Sequence, residues 1–143
     1  MFRLSKILIL LTLFLLFFNT SCNDEDRVPY VPVNLQLFLN SADYQDLKIS
    51  GNWKYISGGS RGIIVFCVYP GEYMAFDRNC TYDPYNDSAR IYVDETNMFA
   101  VCEHCSSKFN LYDGTVVSGD APYSLVQYST QVDNDVLYIN NSY

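Results

Sequence analysis

From residue 34 onward, the hydrophobic pattern consists of short segments, each alternating or fully apolar, separated by polar turns. Such segments are typical of β-strands, and a helical pattern is present only weakly at 41–47. Pro70-Gly71 and Asp113-Gly114 predict the turns of two hairpins, over 62–77 and 109–117. The segments that predict strands are 33–39, 52–57, 63–69, 73–76, 90–93, 98–101, 109–112, 115–117, 124–132 and 136–139. The chain is therefore predicted to be all-β, a small antiparallel sandwich or partly open barrel of eight to ten short strands.

The first 21 residues have the pattern of an export signal. Arg3 and Lys6 precede an apolar run at 7–18 that is too short to span a bilayer. The run leads into Asn19-Thr20-Ser21-Cys22, which is similar to a bacterial lipobox, although Asn19 stands where leucine is usual. We expect residues 1–21 to be a lipoprotein signal peptide and Cys22 to carry the lipid. An ordinary cleaved signal with an incidental cysteine is the alternative.

Residues 22–33 are expected to form a tether, and residues 34–143 a single folded domain. The tether begins with an acidic cluster at 23–26 and continues with Pro29 and Pro32, which favour a stiff extended chain. The acidic cluster resembles the surface-export tag of some Gram-negative lipoproteins, and it is equally typical of a solvated linker. These features predict a lipid-anchored protein in the outer envelope of a Gram-negative-type bacterium, facing the periplasm or the cell surface.

The charge balance excludes several classes of partner. The formal net charge is −7, and residues 22–143 retain all 16 acidic residues but only seven Lys and Arg. A chain this acidic is not expected to bind nucleic acid, and it should attach to a membrane through acyl chains rather than through anionic headgroups. The single histidine lies in a cysteine-containing loop, which disfavours Ser-His-Asp hydrolysis.

The cysteines offer the most specific chemistry in the sequence. Cys67 lies in the middle of an apolar run and is interpreted as a small buried hydrophobic residue. Cys80 lies in one loop, and Cys102 and Cys105 form a Cys-x-x-Cys pair in another. Three thiols from two loops can hold a metal ion, although a Cys-x-x-Cys pair also serves as a disulfide or a redox pair.

Residues 61–140 resemble a Rieske-type [2Fe-2S] domain in the order and spacing of their motifs. The family has an Ala-Phe-x-x-x-Cys segment, a second cysteine loop that ends in phenylalanine, an acidic-Gly turn, a Gly-x-Ala-Pro segment and a final hairpin. The corresponding segments are Met74-Ala75-Phe76-Asp77-Arg78-Asn79-Cys80, Cys102-Glu103-His104-Cys105-Ser106-Ser107-Lys108-Phe109, Asp113-Gly114, Gly119-Asp120-Ala121-Pro122 and Asp133 to Ile139.

The chain departs from the family at the ligand positions themselves. The family's first loop is Cys-x-His and here it is Cys80-x-Tyr82, while its second loop is Cys-x-x-His and here it is Cys102-x-x-Cys105. The resemblance implies that Cys80 and Cys102 would hold one iron and that Tyr82 and Cys105 would face the other. His104 lies one residue short of the family's second histidine position.

The resemblance leaves three outcomes open. A [2Fe-2S] cluster would make the protein a single-electron carrier, and its potential would lie below the Rieske range because anionic ligands replace imidazoles. Without a cluster, the chain would be an envelope lipoprotein acting as a structural or interaction module, with a disulfide among the three loop cysteines. The third outcome is a zinc ion bound by the three thiols and His104. The redox or envelope protein partner is not specified by the sequence.

The resemblance also assigns supporting roles around the site. Ser106, Ser107 and Lys108 are expected to supply hydrogen bonds to sulfur. Gly119 and Pro122 are expected to shape a third loop that covers the site in the family.

Overall fold

The computed structural model describes residues 27–142. The expected signal peptide, the lipidation site Cys22 and the acidic cluster at 23–26 lie outside the described residues. Within residues 27–142, no helix is long and apolar enough to cross a bilayer.

The described chain contains ten β-strands and one short 3-10 helix, which matches the all-β prediction. The weakly helical segment at 41–47 corresponds to the 3-10 helix, Gln45–Lys48. The strands are β1 (Asn34–Phe38), β2 (Trp53–Ile56), β3 (Ile63–Tyr69), β4 (Glu72–Asp77), β5 (Ile91–Val93), β6 (Phe99–Cys102), β7 (Lys108–Asn110), β8 (Val116–Ser118), β9 (Gln127–Asp133) and β10 (Val136–Asn141).

These strands form two antiparallel sheets. The larger sheet has six strands in the order β1-β10-β9-β4-β3-β2, and the smaller has four in the order β5-β6-β7-β8. A cleft between the edge strands β1 and β2 is lined by Leu35 and Leu37 from one side and by Lys54 and Ile56 from the other. The larger sheet therefore curls until its two edges approach each other, and the expected all-β, partly open barrel is confirmed, with a second small sheet beside it.

Strand β3 is apolar because both of its faces are buried from Ile63 to Cys67, whereas Tyr69 at its end is exposed. Ile63, Val65 and Cys67 point into a core enclosed by the curled sheet. Ile64 and Phe66 point the other way, into a second core between the two sheets. Successive side chains of a strand point to opposite faces. A strand shared by two cores therefore needs apolar residues at both alternating sets of positions.

The two sheets are joined where β4 ends and β5 begins. Asn79 and Arg90 form an isolated antiparallel bridge, and the Ile91 amide donates to the Arg78 carbonyl at 2.8 Å. The buried carboxylate of Asp77 organises this junction, because it accepts hydrogen bonds from the Tyr128 hydroxyl at 2.7 Å and the Ser60 amide at 2.6 Å. The backbone amides of residues 61 and 79 also donate to this carboxylate. The four hydrogen bonds together offset the free-energy cost of removing the carboxylate from water.

The hairpin predicted over 109–117 differs in its bounds. Strand β7 ends at Asn110, and the connection to β8 is longer than the Asp-Gly pattern indicates. Asp113 accepts hydrogen bonds from both the amide and the hydroxyl of Thr115, which stabilises a turn in place of two more ladder residues. Gly114 is required here because a Cβ atom would lie 2.6 Å from the Phe76 ring.

Candidate metal centre

Three loops meet at one end of the smaller sheet. The first loop runs from Cys80 to Ala89 between β4 and β5, and the second connects β6 to β7 at 103–107. The third, 119–126, connects β8 to β9. Hydrogen bonds tie the third loop to the other two: the Thr81 hydroxyl donates to the Tyr123 carbonyl at 2.6 Å, and the Ala121 amide donates to Ser107 Oγ at 3.0 Å.

The three loop cysteines converge at this meeting point. The Sγ atoms of Cys80, Cys102 and Cys105 all lie within 4.8 Å of one another, and those of Cys80 and Cys105 are 3.5 Å apart. All three are free thiols. Cys80 and Cys102 are buried and Cys105 is partly exposed, so the cluster has one side near solvent.

Backbone amides point at the sulfur atoms. Against the larger effect of burial, the amide of Tyr82 lowers the pKa of Cys80, those of His104 and Cys105 lower the pKa of Cys102, and that of Ser107 lowers the pKa of Cys105. The second loop is folded tightly enough to do this because the Ser106 amide donates to the Cys102 carbonyl at 2.7 Å and Ser106 adopts a left-handed φ of 60°. Amide donors around sulfur stabilise the thiolate form, which is the form that binds metals.

Ser107 connects the thiols to the third loop. The Cys105 thiol and the Ser107 hydroxyl are hydrogen-bonded at 3.2 Å. Gly119 passes directly over Ser107, where a Cβ atom would lie 2.5 Å from the Ser107 Cα. This close approach explains the glycine, whose φ of 94° is also left-handed.

Among the expected supporting residues, Ser107 alone lies against sulfur through its side chain. Lys108 instead forms an ion pair with Asp94 at 3.0 Å and lies over the Phe99 ring at 4.1 Å. Ser106 contributes through its backbone only.

The environment separates the acidities of the three thiols. Burial raises the pKa of Cys80 well above its usual range, and the neighbouring thiols add to this. Burial also raises the pKa of Cys102 against the opposing effect of the loop amides. For Cys105, burial is outweighed by hydrogen bonding with the Ser107 hydroxyl and amide and with the other two thiols, and its pKa is lowered. Cys105 is therefore the first of the three to ionise.

Tyr82 and His104 lie differently from the cysteines. The Tyr82 side chain is 48% exposed, and the backbone amide of Tyr82 lowers the pKa of Cys80 against the larger effect of burial. The His104 ring faces the first loop, with Nε2 at 3.2 Å from the Asn86 amide nitrogen and 3.7 Å from Asp83. This placement makes His104 a link between the two cysteine loops, and it weakens the zinc alternative that used the ring as a ligand.

Cys67 lies in the core of the larger sheet, in the company of Ile63, Val65 and Tyr73. Burial raises the pKa of its thiol. Its interpretation as a small buried hydrophobic residue agrees with this position.

Sequence reasoning missed the residues that hold the loops in place. Asn79 is fully buried, and its side-chain amide donates to the Ser60 hydroxyl and to the Pro84 carbonyl, both at 2.9 Å. Thr81 and Asn86 complete these links. One feature of the sequence points to these residues: Asn79 and Thr81 flank Cys80, in a segment that is otherwise typical of solvent-exposed turns.

Comparison with known proteins adds little to this geometry. No protein-family model and no curated protein matches the chain. Among solved structures, the chain is similar to the ferredoxin of carbazole 1,9a-dioxygenase from Nocardioides aromaticivorans IC177, at 14% identity and a TM-score of 0.49. The similarity covers 79% of this chain and 100% of that chain. At this level of identity and superposition, it assigns no residue and no activity to the protein.

Proposed function

We propose that the protein is a single-electron carrier whose metal centre is held by Cys80, Cys102 and Cys105. The observation that carries the proposal is the convergence within 4.8 Å of three thiols, one from the first loop, one from the end of β6 and one from the second loop. An iron-sulfur centre bound there would accept and release one electron. In the first form of the proposal this centre is a [2Fe-2S] cluster, with Tyr82 as the remaining protein group by its position in the sequence.

The donor set fits a thiolate-bound metal. Tetrahedral coordination with metal-sulfur bonds of about 2.3 Å places the sulfur atoms about 3.8 Å apart. The observed separation of 3.5 Å between the Cys80 and Cys105 sulfurs is close to that spacing. These side chains are already collected, so binding requires little further ordering of the loops.

The same spacing favours a second form of the site. Ligands on the two irons of a [2Fe-2S] cluster lie at opposite ends of the cluster, farther apart than ligands of one ion. Since all three thiols lie within 4.8 Å of one another, a single iron or zinc ion bound by the three is the second candidate. A two-iron cluster requires the Cys105 sulfur to move away from the other two.

Around such a centre, the chain's own residues would control charge and access. Burial of Cys80 and Cys102 excludes water from one side, while the partly exposed Cys105 brings the other side to the surface. Exposed tyrosines at 82, 85 and 123 lie on the first and third loops and would form the rim that a redox partner contacts. The Ser107 hydroxyl would stabilise negative charge on the Cys105 sulfur.

The cellular setting is part of the proposal. Lipidation of Cys22 would anchor the protein to the outer envelope, with the folded domain outside the cytoplasm. This part is supported by the sequence pattern at 1–22 alone.

Iron, acid-labile sulfide, zinc and free thiols should be quantified on the full chain prepared anaerobically. Two irons and two sulfides per chain, with an electron paramagnetic resonance signal on reduction, are expected for the [2Fe-2S] form. One iron or zinc ion without sulfide indicates the single-ion form, and zinc would remove the electron-transfer function because zinc has no redox chemistry.

A colourless, metal-free protein would contradict the proposal if iron and sulfide also fail to reconstitute a centre under reducing conditions. In that case fewer free thiols than cysteines would favour the alternative, a disulfide-bonded structural or interaction module. The Cys80 and Cys105 thiols are near enough for such a bond after a small movement.

A further inference from the structure

A cleft of about 450 Å³ beside the larger sheet is lined by three arginines. Arg61 follows a glycine-rich loop at 57–60, Arg78 follows β4, and Arg90 precedes β5. These are three of the seven cationic side chains in residues 22–143 of an acidic chain. Their collection in one cleft is therefore not a consequence of a generally basic surface.

Two of these arginines, Arg78 and Arg90, differ from the lysines in their ion pairing. Lys48 and Lys108 form ion pairs with Asp135 and Asp94. By contrast, within residues 27–142 no carboxylate lies within ion-pair distance of Arg78 or Arg90. Like charges facing one cleft repel each other, and a bound anion would relieve that repulsion.

Arg78 is held in place by its surroundings. Its Nε donates to the Ile91 carbonyl at 3.1 Å, and its guanidinium carbon lies 3.6 Å from the centre of the Tyr55 ring. A stacked guanidinium with one nitrogen engaged keeps its remaining donors in a fixed plane. Arg90 is exposed, and its backbone pairs with that of Asn79 in the isolated bridge.

Arg61 is more enclosed, with a side chain 13% exposed. Its terminal nitrogens donate to the Asp87 and Pro84 carbonyls at 3.0 and 3.3 Å, and Nη1 also pairs with the Asp87 carboxylate at 3.3 Å. Its Nε is buried and has no hydrogen-bond partner within the described residues. A buried donor without a partner is uncommon, and an acceptor from a ligand would satisfy it.

The acidic groups near the cleft are accounted for. Asp87 offsets the charge of Arg61. Asp77 lies behind the glycine-rich loop, where the amides of Ser60 and Arg61 and the Tyr128 hydroxyl surround it. The amides of Ser60 and Arg61 are therefore already used, and the positive charge available to an anion in the cleft is that of the guanidinium groups.

We propose that this cleft binds the phosphoryl group of a soluble phosphate ester, held between Arg61, Arg78 and Arg90. Two unpaired guanidinium groups match a phosphate monoester, which carries a charge of about −1.5 to −2 near pH 7, better than they match a single carboxylate. The planar donors of arginine also fit the tetrahedral oxygens in pairs. None of the three thiols lines this cleft.

Calorimetric titration of the full chain in neutral detergent micelles tests the proposal. The probes are inorganic phosphate and glycerol 3-phosphate, at constant ionic strength set with chloride. We expect saturable binding that falls about tenfold in Arg90→Gln, because one charge-assisted contact is lost. Arg90→Lys, which keeps the charge, should recover part of the affinity.

Lys54→Gln is the matched control, since it removes the same charge from β2 in the neighbouring cleft between β1 and β2. Its affinity for both probes should equal that of the unchanged protein. Equal affinity in Arg90→Gln, or no saturable binding of either probe, would overturn the proposal. Binding of phosphatidic acid in mixed micelles, without binding of either soluble probe, would overturn the assignment to a soluble ester.

Discussion

Cys67 in the larger sheet and the three clustered cysteines, Cys80, Cys102 and Cys105, have the same side chain in two different environments. Cys67 and the pair Cys80 and Cys102 are equally buried, so burial does not distinguish them. Cys67 is enclosed by the side chains of one core, whereas the loop cysteines have other thiols and several amide donors within reach. The convergence of several thiols, and not the depth of burial, therefore identifies the candidate ligands.

The largest expected effect is the loss of all bound metal on Cys80→Ser. This substitution removes one of the three converging sulfurs and leaves too few thiolates for a stable site. Metal content per chain, measured by elemental analysis after anaerobic purification, should fall to background. Cys67→Ala is the control and should retain the metal; equal loss in both variants would show that the ligand assignment is wrong.

A smaller effect is expected when a methyl group is added to a glycine in each region. Gly71 and Gly119 have nearly the same backbone conformation, with φ of 98° and 94°, but an added Cβ meets nothing at Gly71. At Gly119 it would lie 2.5 Å from the Ser107 backbone. Gly119→Ala should therefore cost about 1–3 kcal/mol more of unfolding free energy than Gly71→Ala.

Urea denaturation of the two glycine variants measures this difference directly. Gly119→Ala should also weaken metal retention, because it displaces the residue that contacts Cys105. Equal destabilisation of the two variants would mean that the third loop yields without disturbing the thiols.

The smallest effect concerns the reactivity of one thiol in metal-free protein. Cys105 should be alkylated first, because its pKa is lowered while those of Cys80 and Cys102 are raised. Ser107→Ala removes the hydroxyl that stabilises the thiolate, so the pKa of Cys105 should rise and alkylation near neutral pH should slow several-fold. The half-maximal rate should then occur at a higher pH than in the unchanged protein.

Mass spectrometry of partly alkylated protein, after peptide digestion, gives the order of modification. Cys67 serves as the internal reference and should react last of the four. Preferential modification of Cys67 would contradict the contrast drawn between Cys67 and the three clustered cysteines.

The strands were predictable because their hydrophobic patterns are local. The run at 63–69 coincides with β3, since a strand between two cores needs apolar residues at every position. Other boundaries moved by a few residues: β7 stops at Asn110 because the side chain of Asp113 offers the turn an alternative to ladder hydrogen bonds.

The site was predictable in part for a different reason. Three cysteines outside any apolar run indicate a site, but the orientation of His104 toward Asn86 depends on a contact between two loops. The arginine cleft was not predictable, because residues 61, 78 and 90 are far apart in sequence and show no common pattern. Residues that come together only through tertiary packing produce no periodic pattern in the local sequence.

The pairing of β1 with β10 has a mechanical consequence. Asn34 faces Asn140 in that ladder, and the Asn141 side chain holds the chain at Val31 and Val33. A load applied to the N-terminal segment would therefore reach these two side-chain hydrogen bonds and the β1–β10 ladder first.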